Sequence, residues 1–149
     1  MRSWHDGSRQ SRTLVAIRLN NLAQLLQDTN RLSEAEPLMR RALAIDEKSY
    51  GPDHPKVATD LNNLAQLLKD TNRLSEAEPL MRRALLVLLK FTHETGHLHP
   101  ELSVVLKNYS GLLKEMSLGD EEIRKRLVHV GIDAGFDLQS YDKLLGQLL

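Results

Sequence analysis

The chain has 149 residues, 41% of them apolar, and its 20 basic side chains are matched by 20 acidic ones. That length suffices for one globular domain. Low-complexity disorder is disfavoured at this apolar content, and a balanced charge argues against nucleic acid, whose binding rests on a cationic excess at the phosphates.

There are no cysteines, so disulfides, thiolate metal sites and a cysteine nucleophile are excluded together. Thirty residues are leucine while Phe, Trp and Tyr make up 4%, a bias toward helix over half-buried strand. An all-α fold is expected. No stretch approaches the roughly 20 apolar residues that span a bilayer, and Met1 to Ser11 is polar rather than signal-like. These features predict a soluble, cytoplasmic protein with no membrane or nucleic-acid partner and no cofactor.

In chain order, residues 1–12 form a leader without internal counterpart; its Trp4 is a candidate to pack onto the first repeat. That first copy spans residues 13–54. Its run from Leu19 to Ala44 recurs from Leu61 to Leu86 with 24 of 26 positions identical at an offset of 42. The second copy spans 55–99. A worn third copy spans 100–130, where His99 to Glu115 aligns with His54 to Asp70 at an offset of 45. Internal repetition of this length signals a stacked architecture.

Each full copy divides into two helices. In the second copy Val57, Leu61, Leu64, Ala65 and Leu68 recur at helical spacing, with Pro55 suited to the opening turn. Asp70 to Arg73 form a polar break, and Leu74, Ala77, Met81, Ala84, Leu85 and Leu88 mark a second helix. Ser33 with Glu36, and Ser75 with Glu78, have capping-box spacing, which puts Pro79 at the fourth helical position; an earlier start would imply a kink there. Ala23, Ala35, Ala42, Ala65, Ala77 and Ala84 fall where a larger side chain would hold two helix axes apart. Beyond residue 130, residues 131–149 carry a short apolar rhythm of Leu138, Tyr141, Leu145 and Leu148. This predicts a final helix that covers the last repeat.

The succession Leu61, Leu64, Ala65, Leu68, Ala77, Met81 and Ala84, matched by Leu19, Leu22, Ala23, Leu26, Ala35, Met39 and Ala42, resembles the tetratricopeptide repeat in its 42-residue, kinesin-light-chain-like bacterial form. The third copy keeps Leu106, Tyr109, Ser110 and Leu113 but departs on its second helix, where Glu122 or Ile123 replaces a small residue. The resemblance implies a right-handed α-solenoid of antiparallel helix pairs with a C-terminal capping helix. Its concave groove would bind a peptide or partner protein.

The same resemblance places Ile17, Asn20, Asn21, Gln24 and Asp28 of copy one in the groove, with Thr59, Asn62, Asn63, Gln66 and Asp70 of copy two. From copy three it places Val104, Lys107, Asn108, Gly111 and Glu115 there. A physical reading converges on the amides: with the Leu and Ala stripe buried, Asn20, Asn21, Gln24, Asn62, Asn63 and Gln66 project away from it. Amides both donate and accept, and so can grip a peptide backbone of any sequence. Lys107, Lys69 and Lys114 would add selectivity. In the plainer reading these amides solvate an exposed face or bond to the adjacent helix.

His93 to His97 spells HETGH, a formal match to the zinc-protease pattern, which needs both imidazoles on one face of a continuous helix. Gly96 aligns with Gly51 in an inter-repeat connection, and His99 aligns with His54. The segment is therefore expected to straddle a helix end, with no metal. Arg40 with Arg41 and Arg82 with Arg83 read as solvated surface, paired in part with Glu36 and Glu78. The expected function is a non-enzymatic protein-interaction scaffold. The alternatives are a self-associating unit with weak head-to-tail stacking, or the end of a longer array. A metal-dependent hydrolase using His93, Glu94 and His97 is a remote third.

Overall fold

The computed structural model describes residues 3–149, with side chains from residue 7 onward. Seven helices succeed one another in chain order, with no strand among the described residues. They are α1 (Ser3–Asp28), α2 (Leu32–Tyr50), α3 (Pro55–Asp70), α4 (Leu74–Thr95), α5 (Leu102–Glu115), α6 (Asp120–Asp133) and α7 (Leu138–Leu148). Helices α1 and α2, α3 and α4, and α5 and α6 pair as hairpins. The second helix of each full repeat also packs on the first helix of the next hairpin, α2 on α3 and α4 on α5.

The tight turns have one cause. Asn30, Asn72 and Ser117 occupy the same place in their hairpins, each with a left-handed φ, of 59°, 60° and 64°. That conformation lets the Arg73 N–H reach Leu68 O at 2.8 Å and the Asn72 N–H reach Lys69 O at 2.9 Å, closing the exposed carbonyls of α3. The chain is thereby delivered into the second helix earlier than the Ser-x-x-Glu spacing suggested. Helices α2 and α4 begin at Leu32 and Leu74, so Arg31 and Arg73, not Ser33 and Ser75, stand at their N-termini, and neither makes a side-chain cap bond. Instead each guanidinium pairs with an acidic residue of the first turn, Arg31 with Glu34 and Arg73 with Glu76. Pro79 is consequently the sixth helical residue, and α4 continues through it. At the start of α3, Pro55 fills the first position and the His54 Nδ1 accepts from the Lys56 N–H at 3.0 Å.

The apolar stripe expected of the second copy is fully buried: Val57, Leu61, Leu64, Ala65 and Leu68 on α3, and Ala77, Met81, Ala84, Leu85 and Leu88 on α4. So are Ala23, Ala35 and Ala42 of the first copy. Leu22 differs, being 47% exposed although its counterpart Leu64 is buried. Local sequence is identical, so the difference lies in whether another helix arrives to cover it.

Helix α1 extends through the leader, where the Arg9 guanidinium lies 5.4 Å from the centre of the Tyr50 ring. The packing expected of Trp4 falls outside the described residues. At the other end, α7 buries Tyr141 and Leu144, while Leu138 of the expected rhythm is exposed because it occupies the first helical position. Asp137 caps α7, accepting from the Ser140 N–H at 2.8 Å. Gly131 of α6 leaves room for the Tyr141 ring, which would lie 2.3 Å from an added Cβ.

Candidate peptide-binding wall

The first helices of the three hairpins stand side by side and are stitched together by polar bonds. Between α1 and α3, the Asn20 amide donates to Asp60 Oδ1 at 2.9 Å. Between α3 and α5, the Asn108 amide donates to Asn62 Oδ1 at 3.3 Å, and Lys69 pairs with Glu115 at 3.2 Å. At the entrance to α5, the Thr59 hydroxyl donates to Glu101 Oε2 at 2.9 Å.

These bonds divide the amide set. Asn20 and Asn62 hold neighbouring helices, and Asn62 is buried to 9% exposure. Asn108 is half-buried and engaged with Asn62. Gln24 is exposed and donates to Asp28 of its own helix at 3.1 Å. Asn21 is exposed, Asn63 and Gln66 are half-buried, Lys107 is exposed, and none of the four takes part in the bonds above. Lys69 is occupied by its carboxylate partner, while Lys114 is exposed.

Behind the wall lies a feature the repeat pattern did not reveal. Asp46 of α2 and Asp60 of α3 are buried to 0% and 1% exposure at the contact between the first two hairpins. Burial, then the hydrogen bond to Asp46 and its charge, push the Asp60 carboxyl up to about 8, against the weaker opposing pull of Asn20 and Lys56. A protonated Asp60 could donate to Asp46, relieving the cost of holding two adjacent anions away from water. A sequence signal was available: Asp60 falls three residues after Val57, inside the apolar stripe.

On the opposite side, the Glu78 carboxylate ties three helices. It accepts from the Tyr109 hydroxyl at 2.8 Å and pairs with Arg126 at 3.4 Å and Arg82 at 3.5 Å. In the first copy, Glu36 pairs with Arg40 at 3.3 Å and with Arg73 of the next hairpin. The guanidiniums of Arg40, Arg82 and Arg83 thus have carboxylate partners, the last in Glu47 at 2.9 Å. Of these only Arg83 reaches another hairpin, joining α4 to α2, while Arg40 and Arg82 pair within their own helices.

The HETGH segment is split by the end of α4. His93 lies in the last turn, edge-on to Phe136 at 5.0 Å, and Gly96 closes the helix with a left-handed φ of 72°. His97 lies beyond it, where its N–H is held by the Thr95 hydroxyl at 3.2 Å. No group of three His, Asp or Glu side chains among the described residues is placed to hold a metal. His99 Nδ1 accepts from the Glu101 N–H at 3.2 Å, the role His54 plays one repeat earlier.

A tetratricopeptide-repeat sequence family matches residues 14–90, more than half of the chain. The chain belongs to the tetratricopeptide-repeat family. Among solved structures, the tetratricopeptide chain is similar to BtubC (BKLC) from P. vanneervenii, at 21% identity and a TM-score of 0.60. The likeness covers 92% of this chain and 63% of that one, so the chain spans less than two thirds of that protein's length, and the match speaks for the fold. No curated protein matches it by sequence. Repeat folds of this family serve generally as protein-interaction scaffolds and are typically non-enzymatic. No helix among the described residues is long and apolar enough to cross a membrane.

Proposed function

We propose that the chain is a scaffold that holds an extended segment of a partner protein against the wall of α1, α3 and α5. One observation carries the reading. Asn21 and Asn63 occupy equivalent positions on stacked helices and stay out of the cross-helix bonds that consume Asn20 and Asn62. Gln66, one turn on from Asn63, is likewise uncommitted, and Gln24 is committed only to an exposed carboxylate of its own helix.

An amide pair spaced by one repeat can accept from one peptide N–H and donate to another C=O, independently of the ligand's side chains. Selectivity then falls to the flanks. Lys107 supplies a positive charge beside Asn108, and Asp28 and Asp70 supply negative charge further along their helices. Asn20, Asn62 and Asn108 act indirectly, by fixing the spacing of the wall. The role is binding, not catalysis, and the absence of cysteine suits a reducing cytoplasm.

The test begins with unstructured peptides selected on the wild-type chain. Replacing Asn21, Asn63 and Gln66 together by Ala removes three bonds of about 1 kcal/mol each. Affinity should fall by about tenfold to hundredfold, with the helical circular-dichroism signal and unfolding midpoint retained. Peptides methylated on the backbone nitrogen should lose affinity for wild type in the same range. Undiminished binding of both would refute backbone recognition at this wall.

A further inference from the structure

Two helices of this chain carry the same LNNLAQLL run and meet different surroundings. On α3, Val57, Leu64 and Leu67 are completely buried, and α2 is the helix of the preceding hairpin that packs there. On α1 the equivalent residues Val15, Leu22 and Leu25 are 38%, 47% and 60% exposed, and Leu14 beside them is also exposed. The open stripe is therefore the face that, one repeat later, a second helix covers.

What would cover it is constrained by the residue in its middle. Where α2 meets α3, the central pair is Asp46 and Asp60. Where α4 meets α5, the residues at the same repeat positions are Leu88 and Val105, both buried. On the open face of α1 the same position is Arg18. A helix presenting an apolar side chain there, as α4 does, would bury a guanidinium with no partner, a costly arrangement. A helix presenting a carboxylate, as α2 does through Asp46, would meet Arg18 with the opposite charge and a planar, two-pronged donor. The open face is thus better matched to an α2-type helix than α3 itself is.

A second intact copy of this chain cannot supply that helix. Its own α2 face is already spent on α3, and its α4 face on α5. We propose that the Leu14, Leu22 and Leu25 face of α1 is a docking surface for an additional helical hairpin of the copy-one type, whose second helix brings an aspartate onto Arg18. This surface borders the amide wall at Asn21 and is inferred independently of that wall.

The test exploits the lack of cysteine in the chain. Leu25→Cys installs a single thiol on the open face, and its labelling rate reports cover. Two proteins are compared: the full chain, and the full chain with residues 13–54 duplicated between Arg12 and Thr13, the thiol in each being on the helix that precedes the native copy-one turn. The duplicated hairpin should slow labelling by at least about tenfold. Asp46→Arg in the inserted hairpin sets two guanidiniums against each other and should restore the rate in the duplicated protein. Adding Arg18→Asp on the reporting helix should then bring protection back, and alone in the full chain it should leave the rate unchanged. Three results would each overturn the proposal: unprotected thiol in the duplicated protein, protection indifferent to Asp46→Arg, or protection of the full chain that grows with its own concentration.

Discussion

The two junctions between hairpins share a backbone arrangement and have opposite interiors. Between the first and second, two aspartates face one another, burial pushes the Asp60 carboxyl well above the usual carboxylate range, and Asn20 completes the set. Between the second and third, Leu88 and Val105 fill the same positions and the polar bonds move outward to Asn62 with Asn108, Thr59 with Glu101 and Lys69 with Glu115. Stacking geometry is therefore set by the leucines and alanines common to both, and the central pair is free to vary. What varies with it is sensitivity. An apolar centre holds at any pH, whereas a carboxyl pair ties the attachment of the first hairpin to a proton.

The strongest way to break this contrast is to give the second junction the chemistry of the first without its partners. Val105→Asp places a carboxylate against Leu88, with no second carboxyl and no amide to share its proton. An uncompensated buried charge of this kind costs about 3 to 5 kcal/mol. Urea unfolding should show the midpoint falling accordingly, with the third hairpin and α7 losing order first. A change under about 1 kcal/mol, within the range of ordinary surface substitutions, would mean that the position is wetter than its full burial indicates.

The sequence made the architecture legible because the repeat is nearly exact and the stripe residues carry no ambiguity: Leu61, Leu64 and Ala65 can face only the interior. It was much less informative about polar positions. Asn20 and Asn21 are adjacent in a helix and look equally suited to a groove, yet the next helix brings Asp60 to Asn20 and leaves Asn21 alone. Helical periodicity defines the apolar face but says nothing about which polar flank a neighbouring repeat will cover. The same limit explains Leu22, identical in context to Leu64 and opposite in burial. Ser33 and Ser75 misled for another reason: the left-handed turn at Asn30 and Asn72 satisfies the end of the preceding helix and starts the next one early, which makes a serine cap redundant.

The pH dependence of the first junction sharpens the comparison. Asp60 is raised from an ordinary value of 3.8 to about 8 in the folded protein, so the folded state binds the proton more tightly than the unfolded one. Its contribution to stability is complete below about pH 4, declines as pH rises, and is lost once pH passes about 8. The informative quantity is the difference between wild type and Asp60→Asn, in which every other titrating group cancels. The asparagine keeps an acceptor for Asn20 and a donor for Asp46 with no proton to lose. It should be nearly neutral at about pH 4 and gain steadily on wild type as pH rises, ending more than about 1 kcal/mol more stable at about pH 9. Parallel pH profiles for the two proteins would rule out a shared proton between Asp46 and Asp60.

The smallest effect tests the turn that all three hairpins share. Ser117 adopts the left-handed φ of 64° that Asn30 and Asn72 adopt in the first two, and its N–H bonds Lys114 O at 2.9 Å. A side chain without the local bonding of asparagine is disfavoured there by contact between Cβ and the backbone, whereas glycine has no such contact. The bonds of the turn use only backbone atoms, so they survive substitution. Ser117→Gly should therefore raise stability by about 0.5 to 1 kcal/mol, with the gain partly offset by the greater freedom of glycine in the unfolded chain. Ser117→Asn should gain a similar amount with a smaller offset, and Ser117→Val should lose more than either gains. The three midpoints in urea would rank with Asn and Gly above wild type, and Val below. If Val were tolerated as well as Gly, the turn between α5 and α6 would have to relax out of the left-handed region. The third hairpin would then owe its shape to packing against Tyr109 and α7, without the local turn geometry that directs the other two.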